Sequence, residues 1–494
     1  MSADFIAASE RPRGVVLSRT LLVGCASVLV LALLSAVLST WTDEEYSLAS
    51  TGHGIAHAYA RAVGFERQGP LYFVLLAAWR SIDASVFFAR LFSVACIAGF
   101  LAVMAPLLRR VWPSAPLFAF AAIAFNPFVV YAGTEIRLYA GAMLVSALLV
   151  RFFLDGFYDR ERPSARIGFV AAAIAAAYLQ YYLMFALVGF GAVLLFQRRG
   201  QLAAYLGSCA VIALGMVPLI GIVRAQVGIE SPSPLGLIAS LHIPFGASAD
   251  YLLPLHWAKS GSFRLVYAGL AIVALGSVIA ARPRIERSAM AMALIAFTSI
   301  VLVTLVGLVA HVFVIAPRQT VVLFVPLALA LAALLSTTRK PRFALGFAVA
   351  YTIATSCSLF SLYGHGAKTG DWSRVGATLQ SNVKTGDSVA IFDADAALPL
   401  ARYYKGSLIR IPSASAPNVY TSAAFVIESD AQVDADIGRA RLGNRRLWLV
   451  KNVACAYRNP DYGCAHLDHI LLRDYRVVSE RAFFESTITE LQPR

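Results

Sequence analysis

Residues 20–40, TLLVGCASVLVLALLSAVLST, form an apolar run without a charged side chain, and residues 41–46, WTDEEY, turn acidic directly afterwards. About 20 apolar residues are enough to cross the hydrocarbon core of a bilayer as a helix. No cleavage signal follows the run, so it predicts a first transmembrane helix that stays in the protein. The acidic stretch then lies at a membrane surface.

The composition of the whole chain is that of a membrane protein. Hydrophobic residues make up 59% of the 494 residues, charged residues 14%, and the mean hydropathy is +0.69. A soluble protein of this length needs more charge to cover its surface. The apolar runs predict about eleven spanning helices of roughly 17–25 residues each. Their expected bounds are 20–40, 86–108, 115–132, 139–157, 167–182, 183–197, 203–223, 263–281, 288–310, 319–336 and 343–360.

The formal net charge of +14 arises mainly from basic clusters in short loops between the apolar runs. Basic residues that the insertion machinery keeps in the cytoplasm have this distribution. The charge therefore indicates membrane topology and argues against a nucleic-acid partner. It predicts a multi-pass protein of the inner membrane with a cytoplasmic N-terminus. The clusters lie at residues 11–19, 109–110, 151–166, 198–199, 282–287 and 339–342.

The polar C-terminal part predicts a second domain. An odd number of helices places residues 361–494 outside the cytoplasm, in the periplasm. Apolar runs typical of strands occur at Ser388–Phe392, Ala423–Ile427 and Leu447–Val450, with helix-like stretches between them. Roughly 130 residues are enough to bury a core. We therefore expect a transmembrane domain over 1–360 and a periplasmic α/β domain after it.

Cysteine usage fits this division. Four cysteines lie in apolar runs, where they are expected to pack as small hydrophobic residues. Cys455 and Cys464 lie in the polar tail, and their nine-residue spacing suits a disulfide in an oxidising compartment. A metal site is less favoured, because no second pair matches them.

Two long outer loops are expected, at 41–85 and 225–263. The first begins with Asp43, Glu44 and Glu45, three adjacent carboxylates that repel one another unless a cation lies close. The run indicates a general base, with or without a divalent metal ion. A solvated run of charges is the alternative.

Other polar residues fall at expected outer ends of helices. Glu135 and Arg137 enter an otherwise apolar helix, where charges are usually paired or functional. Arg67 precedes an interfacial helix, and Arg318 stands alone among apolar residues; each suits a lipid phosphate. Interfacial anchoring is the alternative for both arginines. Tyr181 is one of two adjacent tyrosines, with Tyr182, that suit either the aromatic belt or sugar contacts.

In this order, the motifs resemble those of bacterial GT-C-fold glycosyltransferases of the dolichyl-phosphate-mannose protein mannosyltransferase superfamily, which includes the aminoarabinose transferases of lipid A. An acidic pair in the first outer loop is matched by Asp43-Glu44. The family's His-Pro-Pro-Leu-Tyr-Tyr-like stretch corresponds to Gln68–Phe73, without the histidine and one proline. Gln-Glu-Ala-Arg-Met-Tyr corresponds to Thr134–Tyr139. The basic residue before a late helix corresponds to Arg318, and the Trp-Arg element to Asp371–Arg374.

The resemblance covers most of residues 20–340 and implies an inverting transfer of a hexosyl or pentosyl group from a polyprenyl-phosphate donor to an acceptor hydroxyl. Asp43 would be the general base, and Glu44 and Glu135 would orient the acceptor or help to hold a metal ion. The implied metal, Mg or Mn, would be bound by Asp43 and Glu135. The residues implied in substrate binding are Arg67, Gln68, Arg137, Tyr139, Tyr181, Tyr182 and Arg318.

A secondary transporter or flippase of a lipid-linked or anionic substrate is the competing interpretation. Such carriers usually show internal repeats and charges at the bilayer midplane. In this sequence the charges gather at the outer ends of helices, and no repeat is visible. The sequence therefore favours the enzyme. The acceptor is left open among glycan, lipid and protein.

Overall fold

The computed structural model describes residues 13–227, 237–254, 264–309, 320–413, 425–441, 446–456 and 461–494. These residues form two compact units. The first comprises residues up to Ala36, Gly54–Val63 and Arg67–Leu362; the second comprises Val37–His53, Gly64–Glu66 and Tyr363–Arg494. The second unit is thus discontinuous in sequence, because part of the loop after the first helix packs with the C-terminal residues.

The first unit is helical, as its long apolar runs predict, since every backbone polar group must be hydrogen-bonded within lipid. The helices up to residue 363, including α2 of the second unit, are α1 (Arg13–Val37), α2 (Thr42–Ser50), α3 (Ile55–Arg61), α4 (Leu71–Arg80), α5 (Val86–Val111), α6 (Leu117–Ala124), α7 (Pro127–Thr134), α8 (Tyr139–Phe153), α9 (Pro163–Leu179), α10 (Phe185–Gln197), α11 (Leu202–Val227), α12 (Leu237–Leu252), α13 (Arg264–Ala281), α14 (Arg287–Val309), α15 (Phe324–Ser336) and α16 (Pro341–Tyr363). Short π or 3-10 turns occupy Ala62–Glu66, Leu154–Tyr158, Tyr181–Met184, Arg199–Gln201 and Val321–Leu323.

Each predicted spanning segment falls on one helix or, at 115–132, on two. Fewer than eleven helices pass a test of length and composition for spanning among the described residues. Six helices there are long and apolar enough to cross a membrane, and a bent pair, α6 with α7, raises the number to seven. The 45° bend lies at Asn126-Pro127, where proline lacks a backbone N–H and Asn126 Oδ1 accepts from Phe128 N at 2.9 Å. The other apolar helices have 10–17 residues, at or below the short end of the range for a spanning helix.

The C-terminal part of the second unit is the predicted α/β domain. It contains α17 (Trp372–Asn382), β1 (Ser388–Phe392), α18 (Ala397–Tyr403), β2 (Ile409–Ile411), α19 (Asp430–Arg441), β3 (Leu447–Asn452), α20 (Cys464–Asp474), β4 (Tyr475–Phe483) and β5 (Ser486–Pro493), with 3-10 turns at Ala394–Ala396 and Val453–Ala456. The strand order is β2-β1-β3-β5-β4. The first three strands are parallel, and β5 pairs antiparallel with both β3 and β4.

Helices cover both faces of this sheet. Trp372 of α17 and Leu400 of α18 pack on the face of Val389 and Ile391, and α19 and α20 pack on the opposite face. The two predicted strands at Ser388–Phe392 and Leu447–Val450 are confirmed. The third prediction is wrong for its described residues, 425–427, which are irregular. Phe425 and Ile427 are apolar because they insert into the core, not because they pair in a sheet.

Cys455 and Cys464 form a disulfide with their Cα atoms 5.6 Å apart. It joins the segment after β3 to the start of α20. The other four cysteines are free thiols in the helices of the first unit. The predicted fold class, a helical multi-pass membrane protein with a C-terminal α/β domain, is confirmed.

Candidate functional site

The acidic triplet lies in the first turn of α2, which begins after the extended residue Trp41. Negative charges are favourable there, because the unpaired N–H groups give a helix N-terminus partial positive charge. This interaction is worth only about 0.3–1 kcal/mol, too little to offset the mutual repulsion of three carboxylates and the burial of two of them. Cations from the C-terminal part of the same unit supply the remainder.

Glu44 is paired with Lys368, from the segment between α16 and α17. The Lys368 Nζ atom lies 2.8 Å from Glu44 Oε1, and the two side chains are 6% and 0% exposed. Desolvating two charges costs several kcal/mol per ion, so each residue depends on the other. The contact gives Glu44 a role in attaching α2 to the C-terminal domain.

Glu45 is held by Arg402, near the end of α18. The guanidinium donates from Nε to Oε1 at 2.6 Å and from Nη2 to Oε2 at 2.7 Å, which is the bidentate geometry that fixes orientation as well as distance. Hydrogen bonding to Glu45 raises the pKa of Arg402. The neighbouring Tyr403 hydroxyl accepts a hydrogen bond from the backbone N–H of Thr40 at 3.0 Å.

Asp395 is a further carboxyl of this cluster. It belongs to the turn that follows β1, at the carboxyl ends of the parallel strands, the edge at which α/β sheets usually carry their functional groups. Burial raises the pKa of Asp395 to about 7, the nearby charges of Asp393 and Asp43 add to the rise, and the hydroxyl of Tyr46 opposes it. Asp395 is therefore substantially protonated at neutral pH.

The first unit carries the candidate phosphate-binding residue Arg67. Its backbone is left-handed, with φ of 50°, and it follows the π turn Ala62–Glu66. Its Nε and Nη2 atoms are buried and have no hydrogen-bond partner among the described residues, and the same is true of Gln68 Oε1. Burial lowers the pKa of Arg67. Donors that are buried without a partner are costly in a folded protein unless a ligand completes them.

The loop that carries Arg67 packs against the predicted tyrosine segment. A Cβ atom on Gly69 would lie 2.3 Å from the carbonyl oxygen of Tyr178, so only glycine permits this approach. Gln226 links the two segments, since its Nε2 donates to the Gln68 carbonyl at 3.4 Å and its Oε1 accepts from the Tyr181 hydroxyl at 3.1 Å. The structure thus brings together Gln68 and Tyr181, which were predicted separately.

The stretch between α7 and α8 is buried. Glu135 and Arg137 are 2% and 7% exposed, and Tyr139 stacks on Tyr131 with ring centroids 6.0 Å apart. The Ser93 hydroxyl of α5 donates to the Glu135 carbonyl at 2.5 Å. One helical turn earlier on α5, Arg90 is 1% exposed and donates from Nη1 to the Ser35 carbonyl at 3.0 Å.

The remaining predictions concern Tyr182, Arg318 and the metal pair Asp43 and Glu135. Tyr182 packs edge-on against Phe185, with ring centroids 5.7 Å apart. Arg318 lies outside the described residues. Asp43 belongs to the second unit and Glu135 to the first, so the predicted metal pair stays a prediction. Over the described part of the chain, no three His, Cys, Asp or Glu side chains form a group suited to a metal ion.

An apolar cavity of about 650 Å³ lies among helices of the first unit. Its lining includes Trp112, Phe118, Ile123, Phe324 and Leu345. The polar side chains that reach it are already hydrogen-bonded: Asn126 Nδ2 donates to the Tyr351 hydroxyl at 2.8 Å, and the hydroxyls of Tyr251 and Thr320 are 3.0 Å apart. A cavity of this character suits a hydrocarbon chain.

Sequence reasoning missed Lys368, Arg402, Asp395 and Arg90. Lys368 and Arg402 are ordinary charges in a polar tail, and only the tertiary fold brings them to α2. Asp395 carried a weak signal, because it follows a predicted strand. Arg90 had the clearest signal, since an arginine inside an apolar helix is usually buried and paired.

Solved structures that are similar to this chain include two of one bacterial protein. The chain is similar to ArnT from Cupriavidus metallidurans. The crystal structure of that protein bound to undecaprenyl phosphate has a TM-score of 0.49, with 12% sequence identity over 95% of this chain and 97% of the other. The structure of its apo state has a TM-score of 0.44 with the same identity and coverage. No protein-family model and no curated protein sequence matches the chain.

Proposed function

We propose that the protein transfers a sugar from a polyprenyl-phosphate donor to an acceptor hydroxyl at the outer face of the inner membrane. The observation that carries this proposal is Arg67, whose two buried N–H groups lack a partner among the described residues, in a membrane unit that also holds a large apolar cavity. A phosphate would complete those donors, and a polyprenyl chain is the kind of group that apolar helices can accommodate.

The proposed chemistry assigns one role to each group. Asp43 takes the proton of the acceptor hydroxyl as its oxygen attacks the anomeric carbon. The bond from that carbon to the phosphate oxygen breaks with inversion, and its electron pair leaves with the polyprenyl phosphate. Arg67, with Arg318, stabilises the negative charge that develops on the leaving phosphate. The acceptor is oriented by Glu135, which Arg137 holds.

The remaining predicted residues keep narrower roles. Gln68, Tyr139, Tyr181 and Tyr182 are proposed to contact the sugar or the lipid phosphate. Glu44 is assigned to the attachment of α2, because Lys368 already neutralises its carboxylate. A requirement for Mg or Mn stays a proposal, and none of the steps above depends on a metal ion.

The proposal is tested with Asp43→Asn. Purified protein in nanodiscs is incubated with a panel of polyprenyl-phosphate sugars, labelled in the sugar, together with a cell-envelope extract as the source of acceptor. Loss of a general base lowers the rate by about 10²–10⁴-fold. The matched control is Asp83→Asn, which removes an exposed carboxyl from the same outer loop and should keep full activity.

The outcomes separate the two candidate functions. Transfer of label to the extract supports the enzyme. A flippase would instead move the labelled lipid, without cleavage, across the bilayer of sealed proteoliposomes, which separate two compartments. Full activity of Asp43→Asn would remove Asp43 from the role of base. The anomeric configuration of the product, read by NMR, tests inversion.

A further inference from the structure

The C-terminal domain contacts the acidic helix at three points. Lys368 pairs with Glu44 at 2.8 Å, Arg402 binds both oxygens of Glu45, and Tyr403 accepts from the backbone of Thr40 at 3.0 Å. The contacts lie before α2 and in its first turn, directly on either side of Asp43 in sequence.

The helix needs such support. It has nine residues, and a helix this short is marginal in isolation. Its first turn also concentrates three negative charges, which oppose their own proximity. Contacts from outside the helix therefore determine where α2 lies.

The supporting side is well anchored. In α18, Ala397 and Leu400 are buried in the core against β1, and Arg402 and Tyr403 follow at the end of the same helix. A side chain based on a packed helix holds its partner more accurately than one based on a loop. The bidentate Arg402–Glu45 contact adds orientation to this anchoring.

We propose that the C-terminal domain is a brace for the catalytic helix, with Lys368 and Arg402 as positioning residues that set the place of the Asp43 carboxylate. This inference rests on the proposed function, because it assumes that Asp43 is the base. The brace gives the C-terminal domain a role in catalysis that requires no contact between that domain and the substrate.

The experiment compares Arg402→Ala, Arg402→Lys and Arg446→Ala in the full-length protein in nanodiscs. Arg446 is the matched control. It pairs with Glu490 in the same domain at nearly the same exposure, 44% and 10% against 39% and 10% for Arg402 and Glu45, but its partner lies in β5 and not in α2. Hydrogen exchange of peptides from α2 reports how readily the helix opens, without reference to activity. Steady-state transfer gives kcat and KM for the donor.

In Arg402→Ala, exchange in α2 should rise about 10- to 100-fold, as expected for loss of hydrogen bonds between charged groups. The kcat should fall by roughly the same factor, because small misplacements of a reacting group are costly, while KM for the donor changes less than about twofold. Arg402→Lys keeps the charge but not the bidentate geometry, so it should restore part of both. Arg446→Ala should behave as wild type.

Exchange in α2 that is unchanged in Arg402→Ala would overturn the brace. Faster exchange with an unchanged kcat would overturn the positioning role, as would a rise in KM alone, which is the sign of a binding residue. If wild-type protein transfers no sugar from any donor, the proposed function fails, and the exchange data still decide whether the brace exists.

Discussion

The acidic helix α2 and the loop that carries Arg67 differ in whether their charged side chains have partners within the described part of the protein. In α2, Glu44 and Glu45 each meet a cation from the C-terminal domain, so those charges are compensated within the protein. In the other region, Arg67 has buried N–H groups without a partner among the described residues. A buried charge that has its partner is tolerated in the fold and depends on that partner, whereas buried donors without a partner are kept at a cost that a ligand removes. The paired glutamates therefore suit a structural role, and Arg67 suits the binding of a ligand.

The largest effect should come from breaking the buried pair. Lys368→Ala leaves Glu44 buried without its cation, which costs about 3–5 kcal/mol. The free energy of opening of α2, measured by hydrogen exchange, should fall by that amount. Lys368→Met with Glu44→Gln should recover most of it, because no buried charge is then left alone.

The control for this prediction is Lys451→Ala. It breaks the ion pair of Lys451 with Asp468, which is more exposed than the pair of Lys368 with Glu44, and should cost about 0–1 kcal/mol. If Lys368→Ala and Lys451→Ala lost the same free energy, the burial of Glu44 would not make it depend on Lys368.

A middle-sized effect should appear with pH. Because burial raises the pKa of Asp395 to about 7, the folded state binds this proton more tightly than the unfolded chain. The stabilisation is present at low pH and is lost as pH rises through 7. Between pH 5 and pH 8, wild type should lose roughly 2–3 kcal/mol that Asp395→Asn does not lose.

Thermal unfolding midpoints of wild type and Asp395→Asn at the two pH values measure this difference. Asp468→Asn, which removes an exposed carboxyl, serves as the control. Parallel pH profiles for wild type and Asp395→Asn would show that Asp395 ionises normally.

The smallest effect is expected at Arg67, the residue proposed to bind the donor phosphate. Arg67→Gln removes charge-assisted bonds worth about 1.5–3 kcal/mol, so KM for the polyprenyl-phosphate donor should rise roughly 10- to 100-fold. Stability should be unchanged or higher, since the substitution relieves buried donors. Arg61→Gln, in α3 of the same loop, should leave KM unchanged.

A fall in stability with an unchanged KM would give Arg67 a structural role instead. The two measurements together therefore distinguish a binding arginine from an anchoring one.

The helices could be predicted from sequence because the signal is local. A run such as residues 20–40 has no stable conformation in lipid other than a helix, whatever the rest of the chain does. Strands β1 and β3 were equally visible as short apolar runs. Fewer helices than predicted spans pass a test of length and composition among the described residues, because several apolar runs form helices of 10–17 residues.

The site was predicted only in part. Asp43, Arg67 and Glu135 stood out because a charge beside an apolar run is unusual. Their partners did not, since Lys368 is 324 positions from Glu44 and Arg402 is 357 positions from Glu45. No local pattern encodes a contact at that distance, and the prediction of a chemical role for Glu44 was made without it.

The discontinuity of the second unit has a consequence for biosynthesis. The ribosome delivers Asp43 early, but Lys368 and Arg402 emerge only after almost all the helices of the first unit. Until then the acidic turn lacks the contacts that Lys368 and Arg402 make with Glu44 and Glu45. A chain that is released before its last quarter inserts its helices without completing this turn, so prematurely terminated products carry the proposed base in an unassembled loop.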